Sequence, residues 1–191
     1  MSYDIDLKDP VTGKTIEFDK PHNMRGGTYQ VGGTSEAWLN ITYNYSGYYY
    51  DATDGDERFF GKTNDDYDDE KPRNLGIRGI YGKTGAQSIP MLNAMISRIE
   101  EKYKKDGVWI ETERKETRYL NSKGKEVDHV DVLHAILHGE KNDFTEEEYT
   151  EIVSEGPNSN YWKATAGNAI KPLYQLIALA ELRPDGVWDG D

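Results

Sequence analysis

The chain of 191 residues has no cysteine, no long uninterrupted apolar run and a shortage of positive charge. Without thiols, disulfide staples and thiolate metal sites are excluded, and a reducing cytoplasm is the compartment that fits. A transmembrane helix needs roughly 20 consecutive apolar residues, and no such stretch occurs. Met1 to Lys8 also lacks the basic end and apolar centre of a secretion signal. The 23 Lys and Arg face 35 Asp and Glu, a formal charge of −12. A surface of that sign repels phosphate backbones and anionic lipids, so neither nucleic acid nor membrane is an expected direct partner. No Ser or Thr is marked as a nucleophile by a neighbouring base, so no catalytic residue is assigned and no cofactor is expected.

Enough remains to fill one core, with 36% hydrophobic and 12% aromatic residues, and a length near 190 predicts a single domain. Tyr3, Ile5 and Leu7 alternate with Asp4 and Asp6, and the turn residues Asp9 to Lys14 then lead to Thr15 to Phe18, a hairpin pattern. Ala37 to Tyr45 alternates in the same way. Ile89, Leu92, Met95, Ile96, Ile99 and Tyr103 share one stripe, predicting a helix from Ser88 to about Lys105 with Pro90 in its first turn. Val108 to Val130 reads as a hairpin turning at Ser122 to Gly124. A helix over roughly Val130 to His138 follows, then another opening at Thr145 with a capping box to Glu148. The last helix spans Ala166 to Leu182, where Pro172 predicts a kink or a start delayed to about Ile170. Asp106-Gly107-Val108-Trp109 and Asp185-Gly186-Val187-Trp188 read as the same helix C-cap used twice. Runs of strands ahead of runs of helices predict an α+β fold, with a mainly antiparallel sheet from the N-terminal strands and a central hairpin, and two main amphipathic helices packed on it.

Five features carry candidate chemistry. Asp51 to Glu70 holds nine acidic and two basic residues; such a block reads as a solvated loop, and alternatively as an imitation of a nucleic-acid backbone. Its Asp65, Asp66, Tyr67, Asp68 and Asp69, together with Tyr48, Tyr49 and Tyr50, form the candidate partner surface, since Tyr combines contact area with a polar handle. Arg25, Gly26, Gly27 and Thr28, with Gly32, Gly33 and Trp38, form a candidate pocket for a nucleotide or signalling molecule, because Gly pairs let a ligand approach the main chain. Asp131, His134 and His138 lie at helical spacing and are the candidate metal ligands of a hydrolase; no Glu sits between the histidines to act as base. Gly76 to Thr84 superficially suggests a phosphate loop, yet five residues separate Gly76 from Gly82-Lys83-Thr84 where that loop needs four.

Three stretches, Pro21 to Tyr29, Ala37 to Tyr45 and Leu182 to Asp191, resemble a family of small uncharacterised proteins from phages and other mobile elements of Gram-positive bacteria. The likeness covers the first fifty residues, Gly76 to Ile99, and Tyr161 onward. It implies a shorter family chain, with about 51–74 and 104–160 as insertions in this member, and it supplies no activity that transfers residue by residue. It does imply a setting: small acidic phage proteins often antagonise host machinery by binding it. The expectation is a non-enzymatic acidic protein that inhibits or modulates a host protein, including one of the nucleic-acid-binding kind. A small-ligand binder and a metal-dependent hydrolase are the alternatives.

Overall fold

The computed structural model describes residues 1–24, 26, 33–62, 72–139 and 144–191. In chain order its strands and α-helices are β1 (Ser2–Lys8), β2 (Glu17–His22), β3 (Thr34–Glu36), β4 (Trp38–Thr42), α1 (Ser46–Thr53), β5 (Phe60–Gly61), β6 (Arg73–Asn74), α2 (Gly85–Tyr103), β7 (Lys104–Lys105), β8 (Val108–Trp109), β9 (Glu111–Leu120), β10 (Glu126–Val127), α3 (His129–Leu137), β11 (Thr145–Ser154), α4 (Ala166–Leu182) and β12 (Val187–Gly190). This is an α+β protein with antiparallel sheets. It divides into two compact units: a larger one, Met1–Ile110 with Glu155–Asp191, and a smaller one, Glu111–Ser154.

In the larger unit β1 is the middle strand of a three-stranded sheet, flanked by β12 and β4. Its alternation places Tyr3, Ile5 and Leu7 on the buried face, each no more than 2% exposed. They join the inward residues of α1, α2 and α4 in one core, sealed by Trp188 of β12, whose indole N–H donates to Ser88 Oγ at 2.7 Å.

The smaller unit is built on a long ladder in which β9 pairs with β11 from Leu120↔Thr145 to Glu111↔Ser154, while β10 pairs with the far end of β9. The expected turn near Ser122 to Gly124 is the β9–β10 turn, pinned by the Asn121 side chain accepting from the N–H groups of Lys123 and Lys125.

Several local expectations are corrected. Thr145 to Ser154 is a strand, because Thr145, Tyr149, Thr150, Ile152 and Val153 favour the pleated form and the edge of β9 offers a partner along their whole length; the capping-box spacing is overridden. Helix α2 starts at Gly85, capped by Thr84 and Gln87 bonding each other's main chain, so Pro90 lies beyond the first turn. Helix α4 starts at Ala166 despite Pro172. Asp106 and Gly107, with φ of 52° and 80°, form the two-residue turn of the β7–β8 hairpin rather than a helix cap. Gly186 has no positive φ, and a side chain there would strike Leu7 and Ile16; the two Asp-Gly-Val-Trp runs are not one device. The acidic stretch is not a solvated loop up to Lys62. Asp51 pairs with Lys102 at 2.8 Å, and Phe59 is fully buried. Asp56 sits between Arg58 at 2.6 Å and Arg98 at 2.9 Å.

The hydrogen bond from Arg58 and the neighbouring Arg98 hold the Asp56 carboxyl well below the usual carboxylate range, although partial burial opposes this. A depressed folded pKa contributes stability that is present above the unfolded pKa and lost as pH falls. Asp56→Asn is therefore expected to destabilise the fold by about 1–3 kcal/mol near neutral pH, with the gap to the parent closing below pH ~4, measured by urea unfolding across pH.

Candidate functional site

Among the described residues, every member of the main core belongs to the larger unit, and the smaller unit buries only Val132, Ala135 and Val153 among its hydrophobic side chains. The reason lies in how α3 sits. Asp128 caps it, accepting from the Val130 N–H at 2.8 Å, and at 100° per residue Val132 and Ala135 fall on one side while Val130, Leu133 and Leu137 fall on the other. The buried side is the smaller pair. Every Leu and Ile of the helix is outward, with Val130: Val130 is 70% exposed, Leu133 45%, Ile136 58% and Leu137 80%.

The ladder beneath offers little more cover. Tyr149 is 38% exposed and Ile152 65%. Cross-strand charge pairing takes the place of a core on one face: Arg118 bonds Glu147 at 2.7 Å and stacks 5.3 Å from the Tyr149 ring, and Arg114 stands opposite Glu151. Glu146, Glu147 and Glu148 are exposed, and Asp128 and Asp131 flank the start of α3. The smaller unit thus presents an apolar helical face, and its exposed surface carries these acidic side chains together with Lys115, Lys123, Lys125 and the α3 histidines. Exposed apolar residues at helical spacing were legible in the sequence as a helix, but that its large side would face outward was not.

The expected site residues fall elsewhere. Tyr49 is fully buried and Tyr48 nearly so, the Tyr48 hydroxyl donating to Glu155 Oε2 at 2.6 Å and the Tyr49 hydroxyl to the Ala169 carbonyl at 3.0 Å. Both are core, because α1, which opens at Ser46, turns them inward, and they cannot serve as a partner surface. Tyr50 is 39% exposed. Asp65, Asp66, Tyr67, Asp68 and Asp69 lie outside the described residues, as do Arg25, Gly27, Thr28 and Gly32. Gly26 closes against the chain: its N–H donates to Gln175 Oε1 at 2.9 Å, and a side chain there would meet the Asn40 carbonyl and the Ile41 side chain. Gly33 is exposed and Trp38 half-buried. A shallow apolar groove of about 400 Å³, lined by Met24, Tyr174 and Gln175 among others, lies beside this segment.

His134 and His138 stack with ring centres 4.2 Å apart. With Asp131 they are exposed, and among the described residues no group of three His, Asp or Glu is arranged to hold a metal. The phosphate-loop lookalike has no free cradle. At the start of α2 the N–H groups of Gly85 and Ala86 bond the carbonyls of Gly186 and Pro184, and those of Gln87 and Ser88 bond Thr84. Among the described residues no helix is long and apolar enough to cross a membrane.

Family models, curated proteins and solved structures show no match to this chain.

Because the Tyr48 hydroxyl is one of the donors to a buried carboxyl group, Tyr48→Phe is expected to cost about 1–3 kcal/mol in stability and to leave partner binding unchanged once folded. Tyr50→Ala, at an exposed position, should shift stability by less than about 0.5 kcal/mol. Denaturant unfolding of both variants checks the assignment.

Proposed function

We propose that the protein is a non-enzymatic binding protein, of the phage or mobile-element kind its sequence resembles, that engages a host protein through the smaller unit and so inhibits or modulates it. The observation that carries this reading is the inverted packing of α3, with Val132 and Ala135 covered and Val130, Leu133, Ile136 and Leu137 bare. A 44-residue segment whose described residues bury three hydrophobic side chains gains little from its own interior. Each large aliphatic side chain covered by a partner contributes about 1.5–3 kcal/mol, so this face gains most when another protein lies on it. Contiguous apolar exposure of this sort marks interaction sites on soluble proteins.

The partner's chemistry follows from the surroundings. A −12 chain whose smaller unit exposes Glu146 to Glu148, with Asp128 at the start of α3, favours a partner that is apolar at the contact and basic at its rim. Nucleic-acid-binding proteins have that character. Long-range attraction raises the association rate and is screened by salt.

The test is a paired pull-down from host lysate with the parent and a Leu133→Glu/Leu137→Glu variant. The substitutions lie on an exposed face, so the melting temperature is expected to stay within a few degrees of the parent. A basic host protein held by the parent should be lost, or weakened about 100-fold, in the variant. Equal capture of the same protein by both would remove the reading, and so would a parent that retains nothing at low salt.

A further inference from the structure

We propose that the larger unit binds a small phosphate-bearing ligand of about mononucleotide size, in a cleft that shares no residue with the face argued above. The cleft has a volume of about 670 Å³ and is lined by Arg58, Phe60, Lys62, Arg78, Tyr81 and Lys83, among others. Small-molecule sites commonly span roughly 300–1,000 Å³. Among the described residues of the lining, Arg58, Lys62, Arg78 and Lys83 supply four cationic side chains and Asp191 is the one acidic residue, in a chain that is otherwise strongly acidic.

These cations are not all neutralised. Lys62 and Lys83 are exposed and make no ion pair among the described residues. Asp56 serves Arg58 and Arg98 together, so that trio keeps a net positive charge. Arg78 is fixed in place: its Nε donates to the Asp191 main-chain oxygen and its Nη2 to the Tyr43 hydroxyl, each at 2.7 Å. Its guanidinium lies 4.7 Å from the Tyr3 ring and 5.4 Å from that of Tyr43. A guanidinium fixed in place by aromatic faces is prepared to receive an oxyanion without losing side-chain freedom.

The rest of the lining decides the kind of anion. Phe60 is 37% exposed and, with half-buried Leu75 and Tyr81, gives an apolar wall beside the charges. Burial pushes the Tyr81 hydroxyl up, so it stays protonated and able to donate. Aromatic faces beside cationic groups suit a ligand with a flat apolar part and a phosphate. The surrounding negative charge repels an extended polyanion more than a compact one, which favours a small molecule over a nucleic-acid strand.

Calorimetric titration of the full chain with ATP, pyrophosphate, adenosine and a Glu-rich peptide tests this. ATP is expected to bind, more weakly as salt rises, and adenosine at least about tenfold more weakly than ATP. The exposed pair Lys62→Ala/Lys83→Ala should lose at least about tenfold in ATP affinity while keeping the parent's melting temperature. Arg78→Lys, which retains charge but not the fork, should also weaken binding. ATP binding tighter than pyrophosphate assigns the ligand as a nucleotide, and equal binding assigns it as the inorganic anion. The proposal is overturned if neither phosphate compound binds, if the double Lys variant binds as the parent does, or if the peptide binds more tightly than either. None of these substitutions touches the smaller unit, so failure here is separate from failure of the partner reading.

Discussion

Glu155 is the residue on which the larger unit closes. Only 1% exposed, it receives the chain where that unit resumes, its N–H bonding the Ile110 carbonyl at 2.9 Å and its own carbonyl accepting from Gly167 at 2.7 Å. Its side-chain Oε2 accepts from the Tyr48 hydroxyl at 2.6 Å and from the Ala166 N–H at 2.9 Å. One acidic residue thereby ties α1 to the first turn of α4 and holds together the two ends of the segment between. Burying a carboxyl group is costly unless donors surround it, and here main-chain and side-chain donors do. The start of α4 follows from this, since the N–H groups of Ala166 and Gly167 are both taken by Glu155 and that of Asn168 by Thr165.

The two units are stable for different reasons. The larger one has a sheet strand, β1, with neighbours on both sides and helices over its apolar face, so backbone pairing and hydrophobic burial reinforce each other. The smaller one relies on a ten-residue ladder and opposite charges across it. A three-stranded sheet needs a covered apolar face to be stable on its own, and α3 contributes little more than Val132 and Ala135 to one. The same deficit that leaves it weakly cored leaves Leu133 and Leu137 outward, which links its energetics to the proposed role in binding.

Charge works similarly at two scales. Over the whole chain the −12 balance discourages nucleic acid and favours basic partners. Locally, folding sorts the minority charge: Arg58, Lys62, Arg78 and Lys83, spread over some 25 positions, line one cleft. Part of the acidic stretch is consumed in structure, with Asp51 and Asp56 bonded to α2. Composition reports the total and is silent on such sorting.

Legibility followed the range of the interaction. The alternation of Tyr3, Ile5 and Leu7, the stripe of α2 and the apolar residues of α4 each reflect one element's own periodicity, so the α+β class and its principal elements could be read directly. Thr84 and Gln87 were also a local signal, since a Gln completes a capping box as a Glu does. What depended on a distant partner could not be read: Thr145 to Ser154 became strand because β9 lay alongside, α4 began before Pro172 because Glu155 supplied acceptors, and Tyr48 and Tyr49 turned inward because Glu155 and Ala169 awaited their hydroxyls. The sequence by itself determined an acidic, cysteine-free α+β chain with amphipathic helices, because composition and short-period patterns are properties of neighbouring residues. Only the tertiary structure decided which tyrosines are core, which face of α3 is bare and where the cations gather, because burial and charge convergence arise between residues far apart in the chain and brought together by the fold.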